Sequence, residues 1–89
     1  MVDIKDRVAQ LDGWALSDKK IEKIFTFKDF KSAFAFMTSC AAYAEEINHH
    51  PDWSNVYNKV EVSLTTHDVS GLSDLDFQMA SFMDKVFNT

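Results

Sequence analysis

The chain has 89 residues, and its nine Lys and Arg against 14 Asp and Glu give a net charge of −5. That length fits one hydrophobic core, residues 1–89, and a domain so small buries only about 60–65% of the surface its unfolded chain exposes, so support from self-association is expected. The acidic balance without a basic block disfavours direct nucleic-acid binding, while 46% hydrophobic residues with two Gly and one Pro exclude disordered, collagen-like and linker-like chains.

Asp3 can cap a short helix in which Ile4, Val8 and Leu11 repeat along one face, and Asp12-Gly13 ends it. The stretch from Met1 to Leu11 has no unbroken apolar segment, so a secretory leader is not expected. No apolar run approaches the ~20 residues of a bilayer span, and a cytoplasmic protein without membrane contact is the expectation. Trp14 to Leu16 and Ile21 to Phe27 flank the polar turn Ser17-Asp18-Lys19-Lys20 and read as a β-hairpin, with Phe25 and Phe27 in phase and Ile24 opposite.

Asp29 to Asn48 carries the clearest periodicity. Phe30, Phe34, Met37, Ala41 and Ala44 form one apolar line, and Ala33, Phe36, Cys40, Tyr43 and Ile47 form a second beside it. Together they predict a helix lying across a sheet, capped by Asp29. Pro51 pushes His50 out of the helical region and leaves His49 at the helix end. Cys40 is the single cysteine, so no internal disulfide can form, and its apolar neighbours make it a small core filler.

Trp53 to Tyr57 and Val60 to Thr66 predict a second hairpin around Asn58-Lys59, with Val60, Val62 and Leu64 on the buried face. A loop follows from His67 to Leu72. Ser73 then caps a last helix, with Asp76 in the capping-box position and Leu75, Met79, Phe82 and Val86 as its apolar stripe. The order α-β-β-α-β-β-α predicts an α+β fold, a four-stranded antiparallel sheet with helices packed on one face. The other sheet face is then either polar or an interface or ligand floor.

Three histidines are the candidates for chemistry: His49, His50 and His67. Imidazole titrates near neutral pH, so three of them around one cleft could divide acid, base and orienting roles; taken singly, each could also be an ordinary surface or capping residue. With Asp52 they also offer ligand types for zinc or iron, but adjacent histidines in extended chain point to opposite sides, and no His-Glu-x-x-His or paired cysteine is present. No metal site is therefore expected. Gly13 and Gly71 are isolated, so there is no phosphate loop, and no nucleophile elbow exists. Trp53 and Tyr57 can supply an aromatic wall near the histidines or pack in the core.

The spacing of Glu45, His49-His50-Pro51, Tyr57, His67 and Asp76 resembles the signature of the pterin-4a-carbinolamine dehydratases. Phe27-Lys28-Asp29-Phe30, Asn55-Val56-Tyr57-Asn58-Lys59-Val60, Thr66-His67 and the Trp14 segment are similar to that family as well. The likeness runs from about Gly13 to Val86. One departure is Asn48, where many members carry Asp, which removes a charge beside the pocket.

The resemblance implies a lyase that removes water from 4a-hydroxytetrahydropterin to give quinonoid dihydropterin, in the recycling of tetrahydrobiopterin used by aromatic amino-acid hydroxylases. It implies no metal or organic cofactor, the pterin being the substrate. It makes His49, His50 and His67 the catalytic set, with His49 and His67 as acid/base groups and His50 as a binding and orienting group. Asn48, Trp53, Thr65, Thr66 and Asp68 would join the histidines in binding the pterin, with Glu45 and Asp76 setting histidine tautomers from behind. A homodimer or homotetramer is implied. Two other readings stay open: a dimerisation cofactor that binds a transcription factor, with nuclear as well as cytoplasmic residence, and a pterin-binding protein without turnover.

Overall fold

The structure is a computed structural model that describes residues 4–89; the proposed cap Asp3 lies outside the described residues. The elements are α1 (Ile4–Ala9), β1 (Ala15–Ser17), β2 (Lys20–Thr26), α2 (Phe30–Ile47), β3 (Asp52–Val56), β4 (Lys59–Leu64), a 3₁₀ turn (His67–Val69) and α3 (Asp74–Phe87). The strands form one antiparallel sheet in the order β1-β2-β4-β3, so the fold is the expected α+β arrangement.

Alternation along the central strands places the core. Ile21 and Phe25 of β2 and Val60, Val62 and Leu64 of β4 are buried on one face. Ala33, Phe36, Cys40 and Ala44 of α2 and Phe77, Met79, Ala80 and Met83 of α3 close over them. Phe25 sits among Trp14, Phe36 and Phe87 with ring centroids 5.9, 4.8 and 5.2 Å away. On the opposite face Glu22 pairs with Ser63 and Ile24 with Glu61 across β2 and β4, and Ser63 and Glu61 face Asp52 and Ser54 of β3. That face is polar apart from Ala15, Ile24 and Val56.

Lys23 occupies a core-facing position of β2 and would be costly there without a partner. It forms an ion pair with Asp84 of α3 at 2.8 Å, and the two side chains are 12% and 14% exposed. Asp84 also accepts from the Trp14 indole at 3.1 Å on both oxygens, and Lys23 Nζ donates to the Asp12 carbonyl. This polar knot pins the segment before β1 to the last helix. Gly13 turns the chain into it at φ +82°, a left-handed conformation that suits a residue without Cβ.

Several local expectations shift. The first apolar line of α2 is split: Ala44 is buried and Met37 packs against the core, but Phe30 and Phe34 are 50% and 54% exposed. A helix on a sheet buries a narrower stripe than two full lines of residues, and a second helix covers only one flank. In α3 the buried stripe runs through Asp76, Phe77, Met79, Ala80 and Met83, rotated from the expected Leu75, Met79, Phe82 and Val86. The buried carboxylate at Asp76 hid that rotation from a hydrophobic pattern. The second hairpin turns at Tyr57-Asn58 rather than Asn58-Lys59, with Tyr57 at φ +52° and 62% exposed. The Asn55 amide explains the shift by donating to the carbonyls of Tyr57 and Lys59. The last strand stops at Leu64, and Thr66 leaves it to pair with Gly71.

Candidate active site

The site forms where the end of α2 meets the exit of β4 and the start of α3. Helix α2 ends at Asn48, which takes the left-handed conformation at φ 53°, ψ 45°. Asn48 N donates to Ala44 and Glu45 carbonyls, and His49 N donates to the Ala44 carbonyl at 3.0 Å, the pattern of a Schellman cap. This reversal throws His49 and His50 off the helix in different directions. Pro51 then starts the run into β3.

On the other side, Thr66 N donates to the Gly71 carbonyl at 2.7 Å, which closes a small loop around the 3₁₀ turn and holds His67 at the rim. Thr65 Oγ1 donates to the Lys19 carbonyl at 2.7 Å and ties the same segment to the first hairpin. A cleft of about 300 Å³ opens between the two sides. Its walls contain every residue expected to touch a pterin except Trp53, together with Leu75 as an apolar patch. Trp53 packs against the core from β3 and lines a depression on the sheet instead; Tyr57 sits in the exposed hairpin turn.

The two adjacent histidines have different settings. His49 is 11% exposed, and its Nε2 lies 2.6 Å from Oδ1 of the fully buried Asp76. Asp76 Oδ2 accepts from Thr66 Oγ1 at 2.7 Å and from Ser73 N at 3.0 Å, so it caps α3 and holds His49 at once. His50 points to solvent, 57% exposed, with Nε2 at 2.5 Å from Oε2 of Glu45. Glu45 lies one turn back on α2, which is the reason for the spacing of the two residues. His67 is exposed on the opposite rim. The arrangement therefore offers one imidazole fixed by a buried carboxylate, one exposed imidazole paired with a surface carboxylate, and a third across the cleft from them. Such a set can deliver and accept protons around a flat polar ligand.

Among the described residues no three His, Cys, Asp or Glu side chains come together as a cluster able to hold a metal ion. No helix among them is long and apolar enough to cross a membrane. Thr66 lines the cleft, but its hydroxyl turns inward to Ser73 and Asp76, a commitment that the sequence does not show. The spacing of Thr66, Ser73 and Asp76 carries no such signal alone, because the chain folds back at Gly71 to bring them together.

Comparison with known proteins points the same way. The family profile described as Pterin 4 alpha carbinolamine dehydratase matches residues 2–86. A protein of Sinorhizobium medicae, provisionally named a pterin-4-alpha-carbinolamine dehydratase, is 52% identical over 84 residues, which cover 92% of this chain and 80% of the relative. A similarly named protein of Rhizobium meliloti is 51% identical over 84 residues, 92% of this chain and 81% of its own length. The crystal structure of a transcriptional coactivator/pterin dehydratase from Brucella melitensis superposes with a TM-score of 0.90 at 41% identity and covers 96% of each chain. A pterin dehydratase-like RuBisCO assembly factor of the alpha-carboxysome shares the fold at a TM-score of 0.74 and 20% identity, covering 88% of this chain and 93% of that one.

Proposed function

This chain belongs to the pterin 4 alpha carbinolamine dehydratase family, and we propose that it removes water from a 4a-hydroxytetrahydropterin to give the quinonoid dihydropterin. The observation that carries the reading is the convergence of His49, His50 and His67 on one cleft, with a buried carboxylate behind His49. The substrate has a hydroxyl on C4a next to N5–H. Protonation of that oxygen lets the C4a–O bond break with its electron pair. Loss of the N5 proton lets the N5 pair form the new C=N bond, and water leaves without net oxidation. The step needs one acid and one base and no metal or organic cofactor. His49 and His67 are the groups assigned to these protons. His50, steadied by Glu45, binds and orients the ring. Asn48, Thr65 and Asp68 offer backbone and side-chain polar groups to its edge. The role fits the recycling of a pterin after an aromatic amino-acid hydroxylase has used it.

The test uses 4a-hydroxytetrahydropterin generated by a hydroxylase and followed through its ultraviolet band. The protein is expected to speed its decay in proportion to protein concentration, with or without a strong chelator. Decay that the protein leaves unchanged would contradict the dehydratase reading, and activity lost to the chelator would contradict its metal-free form. A second reading, a protein-binding coactivator, is favoured by the solved relative from Brucella melitensis, whose description names both roles, and by the exposed Phe30 and Phe34 on α2. It does not require the histidines, so loss of the cleft residues separates the two.

A further inference from the structure

We infer that Thr66 and Ser73 are positioning residues whose hydroxyls form a one-way hydrogen-bond chain that holds Asp76 as an acceptor and fixes the tautomer of His49. The inference rests on the dehydratase reading only for its kinetic consequence. The direction of the chain follows from counting protons. Leu75 N–H can only donate, and it reaches Ser73 Oγ at 3.3 Å. Thr66 Oγ1 lies 2.7 Å from Ser73 Oγ and 2.7 Å from Asp76 Oδ2. With Asp76 as a carboxylate its oxygens only accept, and a hydroxyl has one proton, so the Thr66 proton goes to Asp76. Ser73 must then donate its own proton to Thr66. Ser73 N–H adds a second donor to the same Asp76 oxygen at 3.0 Å.

With Oδ2 receiving two donors, Oδ1 of the fully buried Asp76 is left to accept from His49 Nε2 at 2.6 Å. The proton of the neutral imidazole therefore sits on Nε2. Nδ1 keeps its lone pair and is the ring nitrogen left for the cleft that His49 lines. That is the state of a general base, as in other Asp–His pairs where the carboxylate sets the tautomer. The chain also explains the Thr66–Gly71 bridge, because that bridge fixes the backbone from which the hydroxyl reaches Asp76. Thr66 thus acts through Asp76, not on the substrate with its hydroxyl.

The experiment compares the wild-type protein with Thr66→Val and Thr66→Ser, each carrying ¹⁵N-labelled histidine, at about pH 8 where an ordinary imidazole is neutral. His49 is identified by difference with His50→Gln and His67→Gln, since the chain has three histidines. The wild-type His49 ring should show the Nε2–H tautomer. In Thr66→Val that single tautomer should be lost and kcat should fall on the order of tenfold with KM little changed. Thr66→Ser should restore both. A wild-type ring protonated on Nδ1, or a Thr66→Val ring still wholly Nε2–H, overturns the inference. If Thr66→Val does not fold by circular dichroism, Ser73→Ala, which removes the outer donor together with the α3 cap acceptor of Leu75 N–H, carries the same comparison once circular dichroism shows it folded. A wild-type protein with no turnover would sink the dehydratase reading while leaving the tautomer spectra to decide the relay.

Discussion

Single residues at this site serve the backbone and the cleft together. Asn48 is the clearest case: its place before the histidine pair is also the left-handed cap of α2. A residue with Cβ and no compensating amide pays about 1–2 kcal/mol there, while Gly does not. Asn48→Ala should therefore lower unfolding free energy by about 1 kcal/mol and Asn48→Gly should leave it nearly unchanged, which urea melts will read. Asn suits this position because it adopts the left-handed conformation more readily than most residues with a Cβ. Cys40 is a second case. It is completely buried, and desolvation pushes its thiol up to about 12. A small alkylating reagent at about pH 8 should leave native Cys40 unmodified and label it in denaturant; rapid labelling of folded protein would show that the core opens there.

The elements were legible where local chemistry and packing agree. Asp29, Ser73 and the helical periodicity gave both long helices, and alternation in Val60, Val62 and Leu64 gave the sheet face. Phe30 and Phe34 were not separable from core residues, because periodicity cannot tell a covered flank from an open one. The cleft itself was legible through His49, His50 and His67, which fall at element ends. The Thr66 relay was not, because it depends on the chain folding back through Gly71. Trp53 pairs with Val62, so the alternation of its strand turns it to the core face rather than the cleft. Asp29 carries an element-scale prediction. Its carboxyl accepts from Ser32 N at 2.8 Å, and that hydrogen bonding, with Lys28 and Lys31 nearby, holds it below the ordinary carboxylate range. A lowered folded-state value means stability that is present above about pH 4 and lost as pH falls through the folded value. Asp29→Ala should thus melt below wild type at neutral pH, and the gap in Tm should close in strong acid. A constant gap across pH would show that packing, not the charged cap, sets the difference.

Across the molecule, the polar knot of Lys23, Asp84 and Trp14 joins the N-terminal segment, the sheet and α3. Asp84→Ala leaves a mostly buried ammonium without its carboxylate and should cost about 3 kcal/mol in a denaturant melt; a loss under about 1 kcal/mol would mean that Lys23 escapes to water. The proposed self-association rests on the small core and on Phe30 and Phe34, whose rings lie 5.8 Å apart on the open flank of α2. Light scattering at micromolar concentration should give a multiple of 10.2 kDa, and a mass equal to one chain would contradict it. The central claim is that the histidine cleft carries a dehydration, with protons moved by His49 and His67 and the ring held by His50. The most direct measurement is kcat and KM for His49→Ala, His50→Ala and His67→Ala on one 4a-hydroxytetrahydropterin. A dehydration carried by this cleft predicts a fall in kcat of about 10²–10⁴-fold for His49→Ala and His67→Ala, with His50→Ala acting mainly on KM. Small and equal effects in all three folded variants would contradict it.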